Sequence, residues 1–222
     1  MGIKIGCAAW TWTEPAHNPP YEEAIKSIGE LGFDGIELIL RDFEDVENYW
    51  TKDKRKEIKS MVDYYGLQVS QFAMFQNVMD GLASLEEEKK NRSIEAFKNG
   101  CEISADLGCD IVNFVSPWPS TVTAPNSYLP EYYYINVPGV DPRIRALQVF
   151  QTKLKYTFPN PFDWERYWSS HVDAVRKVAQ IAKQYGFKLA IENHANTMTP
   201  HTDSILRLCE EVGEENVGAN LD

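Results

Sequence analysis

The chain has 222 residues, of which 43% are hydrophobic and 25% are charged, and these proportions are typical of a globular domain with a substantial core. Its 33 acidic residues outnumber its 22 basic residues, and the resulting net charge of −11 argues against binding to a nucleic-acid backbone. No apolar run reaches the roughly 18 residues of a membrane span, and the first residues lack the pattern of a signal peptide. The four cysteines have no CxxC spacing, which predicts free thiols in a cytoplasmic protein.

A repeated unit of an amphipathic segment, a glycine and an apolar run divides the chain. Glycine directly after a helix adopts the left-handed conformation without a Cβ penalty, so each glycine of the repeat predicts the end of a helix. The apolar runs that follow are short and continuous, which is typical of parallel strands covered on both faces. The glycines of the repeat are Gly32, Gly66, Gly108, Gly186 and Gly213.

With IKIGCAA as the first strand, the repeat predicts an α/β protein with about six parallel strands. An open doubly wound sheet and a (β/α)8 barrel both fit this pattern. A dinucleotide-binding open sheet would carry G-x-G-x-x-G after its first strand, where this chain has CAAWTWTEPAHNPP. We therefore predict a (β/α)8 TIM barrel, of which residues 1–222 supply about the first six strands as a single domain.

The repeat is interrupted once, after the fourth predicted strand. The interruption covers about residues 121–161 and contains the aromatic-rich stretches YLPEYYYINVPG and YTFPNPFDW. Long segments inside compact domains are commonly functional, and a high aromatic content is unusual for disordered chains. We predict an ordered flap, for which a substrate lid and an oligomer contact are equal alternatives.

Carboxylates end the fifth and sixth predicted strands. Alternation in KLAIENH places Glu192 and His194 on one face at the carboxyl end of the strand, and Asp222 ends the next apolar run. Active sites of parallel α/β proteins lie at this edge, where a carboxylate needs a cation or hydrogen bonds. The pair indicates an oxygen-rich site for a divalent metal, with Mn²⁺ as the leading ion and Mg²⁺, Co²⁺ or Zn²⁺ as alternatives.

Several other side chains are candidates for substrate binding. Trp10 and Trp12 are predicted to share a face at the end of the first strand, where they can stack on a sugar ring or simply plug the barrel. His17 follows in the next loop, and His201 lies in the polar stretch after the fifth strand. Glu37 alternates with apolar neighbours in GIEL, and a buried structural role is nearly as well supported for it as a place in the site.

The motifs LGFDGIEL, LAIENH and VGANLD resemble the xylose isomerase-like TIM-barrel family, which includes sugar-phosphate isomerases/epimerases and ketose 3-epimerases. The resemblance runs over essentially the whole chain in order. It implies that Glu192 and Asp222, at the ends of strands 5 and 6, bind a divalent metal. A His and a Glu on strands 7 and 8 would complete the ligand set, and both are expected beyond residue 222.

These features predict a metal-dependent isomerase or epimerase that acts on a sugar or sugar-like ketone through an enediolate. Glu192 would be metal ligand and base, and His194 would polarise a substrate oxygen or move its proton. One alternative is a lyase that cleaves 3-keto-glycosides, similar to C-glycoside deglycosidases. A second is a non-catalytic barrel that binds a sugar or a partner. We expect a homo-oligomer, or a hetero-oligomer with a small subunit in the lyase case.

The net charge of −11 and the four histidines disfavour the endonuclease branch of the same superfamily, so we expect no nucleic-acid partner. We likewise expect no membrane partner.

Overall fold

The computed structural model describes residues 2–123 and 156–222. Most of the predicted flap, about residues 121–161, lies outside these residues, and only its two ends are described. At those ends Thr123 and Thr157 form an isolated antiparallel bridge. Within the described ranges, no helix combines the length and the apolar character that crossing a membrane requires.

Six parallel strands form one sheet, and each strand pairs with the next one along the chain. This arrangement confirms the predicted strand–helix repeat, because sequential parallel pairing requires a crossover between each pair of strands. The strands are β1 (Gly6–Ala8), β2 (Gly35–Leu40), β3 (Gln68–Met74), β4 (Ile111–Val115), β5 (Lys188–Glu192) and β6 (Val217–Asn220).

Helices occupy the connections between the strands. Short 3₁₀ helices cover Ala9–Trp12 and Asp80–Ala83. The α-helices are α1 (Glu22–Glu30), α2 (Asp45–Asn48), α3 (Lys52–Tyr64), α4 (Gln76–Met79), α5 (Glu87–Leu107), α6 (Trp164–Gln184) and α7 (Thr202–Val212). The five glycines of the repeat all have positive φ angles, between 67° and 79°, which confirms the predicted left-handed helix ends.

One buried core joins the sheet to the helices. Ile28 of α1, Phe97 of α5 and Val175 of α6 are fully buried in the same cluster as Ile36 and Phe114 of the strands. This packing is what holds the carboxyl ends of the strands, and the side chains on them, in fixed positions.

His171 of α6 is also buried in this core, and its two ring nitrogens contact the Leu82 carbonyl oxygen and the Ser116 Oγ, each at 3.2 Å. Burial lowers the pKa of His171 to about 4, so this histidine is a neutral core residue.

Strand β3 contains one more residue than its pairing with β2 uses. Ile36 pairs with Val69, but the next residue, Glu37, pairs with Gln71, so Ser70 is a bulge. The Ser70 hydroxyl donates a hydrogen bond of 3.2 Å to the Ile36 carbonyl oxygen. The bulge thus places the Gln71 side chain beside that of Glu37.

Gly29 of α1 packs against Tyr65, and a Cβ atom at Gly29 would lie 2.5 Å from the Tyr65 Cβ. Alanine is normally better than glycine in a helix by about 1 kcal/mol. Because the Tyr65 Cβ is fixed to the backbone, we expect Gly29→Ala to be destabilising by about 1–3 kcal/mol instead. Urea unfolding measures this, with Lys26→Ala on the exposed side of the same helix as a control that should change stability by less than about 0.5 kcal/mol. A stabilising Gly29→Ala would contradict the close packing.

Candidate active site

The carboxyl ends of the strands surround a cavity of about 370 Å³. Every strand, or the segment directly after it, contributes to the lining, as expected for a site built at this edge of a parallel sheet. The lining includes both polar and aromatic side chains. The polar ones include Glu37, Gln71, Asn113, Glu192, His194, Asn220 and Asp222.

Glu192 is the last residue of β5, and its carboxylate is held by two amides. Asn220 Nδ2 donates to Glu192 Oε2 at 2.9 Å, and Asn113 Nδ2 donates to the same oxygen at 3.4 Å. Burial raises the pKa of Glu192; the hydrogen bond from Asn220 opposes this rise, and the negative charge of Asp222 adds to it. Glu192 is therefore an oriented carboxylate with more proton affinity than an exposed one.

Asp222 follows β6 and is tied to the end of β5. The Asn193 side chain donates from Nδ2 to the Asp222 carbonyl oxygen and accepts at Oδ1 from the Asp222 backbone N–H, both at 3.0 Å. This paired contact extends the β5–β6 ladder beyond its last register pair, Glu192 and Asn220. It holds Asp222 at the cavity beside Glu192.

Glu37 is a second half-buried carboxylate of the cavity. Gln71 Nε2 donates to Glu37 Oε2 at 3.1 Å. Burial raises the pKa of Glu37; the Gln71 hydrogen bond and the nearby Trp10 indole oppose the rise, and the charge of Glu192 adds to it. The Trp10 indole N–H has no hydrogen-bond partner among the described residues. Its effect on the pKa of Glu37 therefore comes from its proximity.

Three rings of the lining, those of Trp10, His17 and Phe75, pack against one another. Trp10 and His17 stack with centroids 4.5 Å apart, and His17 contacts Phe75 at 5.0 Å. The Arg41 guanidinium lies 4.4 Å from the Phe75 ring centroid. Burial lowers the pKa of His17, a backbone contact with Ala16 opposes this, and the Arg41 charge adds to it. The φ angle of His17 is +74°, a conformation that the ring stack supports.

Five of the predicted site residues besides Asp222 line the cavity, and two do not. The five are Glu192, His194, Trp10, His17 and Glu37. His201 precedes the first turn of α7, where its backbone N–H donates to Ser204 Oγ at 3.2 Å.

Trp12 also lies away from the lining, with 46% of its surface exposed and its indole N–H donating to Cys7 Sγ at 3.3 Å. The prediction that Trp10 and Trp12 share a face was wrong. Residues Ala9–Trp12 form a 3₁₀ helix rather than extended strand, and in a period of three residues positions two apart point in different directions.

Three amide side chains that were not predicted from the sequence contact the carboxylates of Glu37 and Glu192; they are Gln71, Asn113 and Asn220. A single polar residue in an apolar strand run, such as the Asn of IVNFV, is the signal that identifies such a position.

The donor chemistry of Glu192 and Asp222 fits a divalent metal. Burial raises the pKa of Glu192 and repulsion by Asp222 adds to the rise; a cation between the two carboxylates would remove that repulsion. In the described part of the chain, no group of three or more His, Cys, Asp or Glu side chains is arranged to hold a metal ion. The described residues thus bring two candidate carboxylate donors to the cavity.

The buried charge of Glu37 predicts a pH-dependent stability. Its folded-state pKa lies above the ordinary value of 4.5, so ionised Glu37 destabilises the fold above that folded pKa, and the cost disappears as pH falls through it. We expect Glu37→Gln to be more stable than the wild type at pH 8, with a difference in melting temperature that shrinks toward pH 5. Calorimetry of both proteins across this range measures it. A difference independent of pH would contradict the buried charge.

Three comparisons with known proteins place this geometry in context. The family model described as xylose isomerase-like TIM barrel matches residues 25–222. The search of curated proteins found no match. Among solved structures, D-psicose 3-epimerase from Clostridium cellulolyticum H10, crystallised with D-tagatose, is similar with a TM-score of 0.65 and 15% identity. The match covers 99% of this chain and 63% of that one.

Two further solved structures have the same fold. The 3-keto-D-glucoside 4-epimerase from E. coli matches with a TM-score of 0.64 and 16% identity, over 100% of this chain and 68% of that one. A xylose isomerase-like TIM barrel protein from Mycobacterium smegmatis, in complex with magnesium, matches with a TM-score of 0.64 and 14% identity, over 98% of this chain and 63% of that one.

The family match therefore covers all but the first strand of the six-stranded sheet, and the sheet corresponds to part of a TIM barrel, as predicted. At 14–16% identity the solved structures show a common fold, and the chain spans 63% of the length of the psicose epimerase. Because the family model matches residues 25–222, the chain belongs to the xylose isomerase-like TIM barrel family.

Proposed function

We propose that this protein is a divalent-metal-dependent isomerase or epimerase of a sugar or sugar-like ketone. The observation that carries the proposal is the Glu192 carboxylate, which is oriented by two amides, has a raised pKa and lies beside Asp222 in the cavity. Two structures with the same fold are named as sugar epimerases, which supports the substrate class.

Glu192 and Asp222 are the residues that would hold the ion. A bound divalent cation supplies a Lewis acid that makes a carbon acid next to a carbonyl group easier to deprotonate. The oxygen donors favour a hard ion, for which Mn²⁺ and Mg²⁺ both qualify, and the magnesium in the M. smegmatis protein supports this class of ion. In this proposal the described residues supply two of the ligands.

The base in this proposal is Glu192. Both amide contacts are made to Oε2, so Oε1 is the oxygen that can take a proton or bind an ion. Removal of the C–H proton from the hydroxyl-bearing carbon next to the substrate carbonyl gives an enediolate. Return of a proton to the other face of that carbon gives the epimer.

The rest of the cavity suits a sugar. Trp10, in its stack with His17, would offer a flat apolar surface to the C–H face of a carbohydrate, while the amides of the lining would offer hydrogen bonds to hydroxyl groups. His194, which also lines the cavity, is the residue that would polarise a substrate oxygen or move its proton.

A lyase that cleaves 3-keto-glycosides is the second candidate. One similar structure is a 3-keto-D-glucoside epimerase, so the fold is used with glycosides as well as free ketoses. An aromatic group would also find a partner surface after β4, where Trp118 packs with Tyr156, Phe158 and Trp164 at centroid distances of 5.8–5.9 Å.

A deuterium-exchange assay distinguishes these functions. The purified protein, with Mn²⁺ or Mg²⁺ added, is incubated in D₂O with D-fructose, D-psicose, D-tagatose, L-ribulose and a 3-keto-D-glucoside, and NMR follows the products. We expect metal-stimulated exchange at the carbon next to the carbonyl, together with the epimer. Release of the aglycone would favour the lyase instead. If no ketose showed exchange and the protein bound no metal, the proposal would be overturned in favour of a non-catalytic barrel.

A further inference from the structure

Asn113 is a buried polar residue in the middle of strand β4. Its exposed fraction is 2%, yet it lines the cavity. Its register partners on the neighbouring strands are Ala73 and Ala190, whose methyl groups fill little of the space beside it. The Asn113 amide therefore lies deep in the cavity, in a row otherwise occupied by small apolar side chains.

Glu192 fixes the orientation of the Asn113 amide. An ionised carboxylate can only accept hydrogen bonds, so the amide nitrogen must face Glu192 Oε2, to which it donates at 3.4 Å. The Asn113 Oδ1 then points away from Glu192. Across residues 2–123 and 156–222, nothing donates a hydrogen bond to this oxygen, although it is fully buried.

A buried acceptor without a donor costs free energy in the ligand-free protein. Leucine has nearly the same shape as asparagine and would fit this apolar row without that cost. The contact with Glu192 does not by itself account for an asparagine here, because Asn220 already donates to the same oxygen at 2.9 Å. A bound ligand that carries a hydrogen-bond donor would satisfy the Asn113 Oδ1.

We propose that Asn113 Oδ1 accepts a hydrogen bond from a substrate hydroxyl next to the carbon that Glu192 deprotonates, and that it selects substrates carrying a free hydroxyl there. This inference rests on the proposed function and adds a specificity-determining residue to it. The recognised class is a ketose or keto-sugar with an unsubstituted hydroxyl at that position. Deoxy and deoxyfluoro analogues are rejected, because neither carries a donor for the buried oxygen.

The test compares analogues of one sugar in the wild type and two variants. The parent is whichever of D-fructose, D-psicose and D-tagatose the metal-loaded protein epimerises fastest, and the analogues are its monodeoxy and monodeoxyfluoro derivatives. For the wild type we expect kcat/KM to fall at least about 100-fold for both analogues at one position. Asn113→Leu should lower kcat/KM for the parent by a similar factor and reduce the discrimination to about threefold or less.

Asn220→Leu is the matched control, since it removes the other amide contact to the same Glu192 oxygen. It should lower kcat/KM for the parent and the analogues equally and keep the discrimination. Equal behaviour of the two variants would overturn the proposal, because Asn113 would then act only through Glu192. So would a wild type that accepts the deoxy and deoxyfluoro sugars at every position, a result that needs no variant to fold.

Failure of the proposed function gives a different result. If the metal-loaded wild type epimerises none of the three ketoses, the same comparison is made by calorimetric titration with D-tagatose and its analogues. Binding that depends on one hydroxyl and on Asn113 would support the inference in a protein that does not catalyse epimerisation. Binding that is indifferent to both, or no binding, would overturn it.

Discussion

Replacing Glu192 with glutamine is expected to lower kcat by about 10³–10⁴-fold in the metal-loaded protein. The amide can neither take the proton nor offer a negative charge to a cation, and general-base catalysis alone accounts for about 10²–10⁴ in rate. Glutamine keeps the shape of the side chain and an oxygen that can accept from Asn113 and Asn220. The variant should therefore fold, and steady-state kinetics with the best ketose measures the loss.

The same substitution should stabilise the metal-free protein at neutral pH. Ionised Glu192 is half-buried and repelled by Asp222, so removal of its charge relieves a cost of the fold. Glu22→Gln is the matched control, because Glu22 accepts from Lys54 Nζ at 2.8 Å and from the Tyr49 hydroxyl at 3.1 Å and does not line the cavity. That variant should lose stability and keep activity. If the Glu192→Gln protein kept wild-type turnover, Glu192 would not be the base.

Asp222→Asn is expected to weaken the binding of Mn²⁺ or Mg²⁺ by at least about 100-fold. Even residues that only orient a metal ligand contribute about 10–100-fold to affinity, and a charged ligand contributes more. The asparagine keeps the backbone contacts with Asn193, so the geometry of the strand end is preserved. Calorimetric titration with each metal measures the affinity, and chelation by EDTA should abolish the activity of the wild type until metal is restored.

Asp110→Asn provides the comparison for charge alone. Asp110 is an exposed carboxylate directly before β4, at the edge of the sheet opposite to the cavity. Its replacement changes the net charge by the same amount and should leave metal affinity within about twofold. Equal effects of the two substitutions would mean that Asp222 acts through the overall field rather than as a ligand.

The order of the elements could be predicted because two local signals agree along the chain. Each glycine of the repeat, such as Gly32 or Gly186, follows a helix at a positive φ angle, and each apolar run after these glycines is a parallel strand. Glu192 could be predicted for the same reason, since a carboxylate at the end of a strand has a known place in a parallel sheet. Its neighbours are fixed by register, and register depends on tertiary contacts.

The amides around the carboxylates could not be assigned from the sequence in this way. Gln71 reaches Glu37 only because of the Ser70 bulge, and a bulge leaves no mark in a two-residue alternation. Asn113 stands out in IVNFV, but only the fold shows that it faces Glu192 rather than a helix. The predicted position of Trp12 was wrong for a related reason. The side-chain alternation of β1 ends at Ala8, and a 3₁₀ helix begins at the next residue.

The extra residue in β3 also affects how this chain can be compared with its relatives. Val69 and Gln71 keep their partners on β2 whether or not a residue stands between them, so the length of β3 can change by one at Ser70 while the cavity stays the same. A relative without the bulge would have its equivalent of Gln71 one position earlier in sequence. At about 15% identity, a gapless alignment through β3 would then equate Gln71 with a residue on the outer face of the sheet. For such a relative, the correspondence between cavity residues would follow the hydrogen-bonded register of β3, and a count along the chain would misassign it.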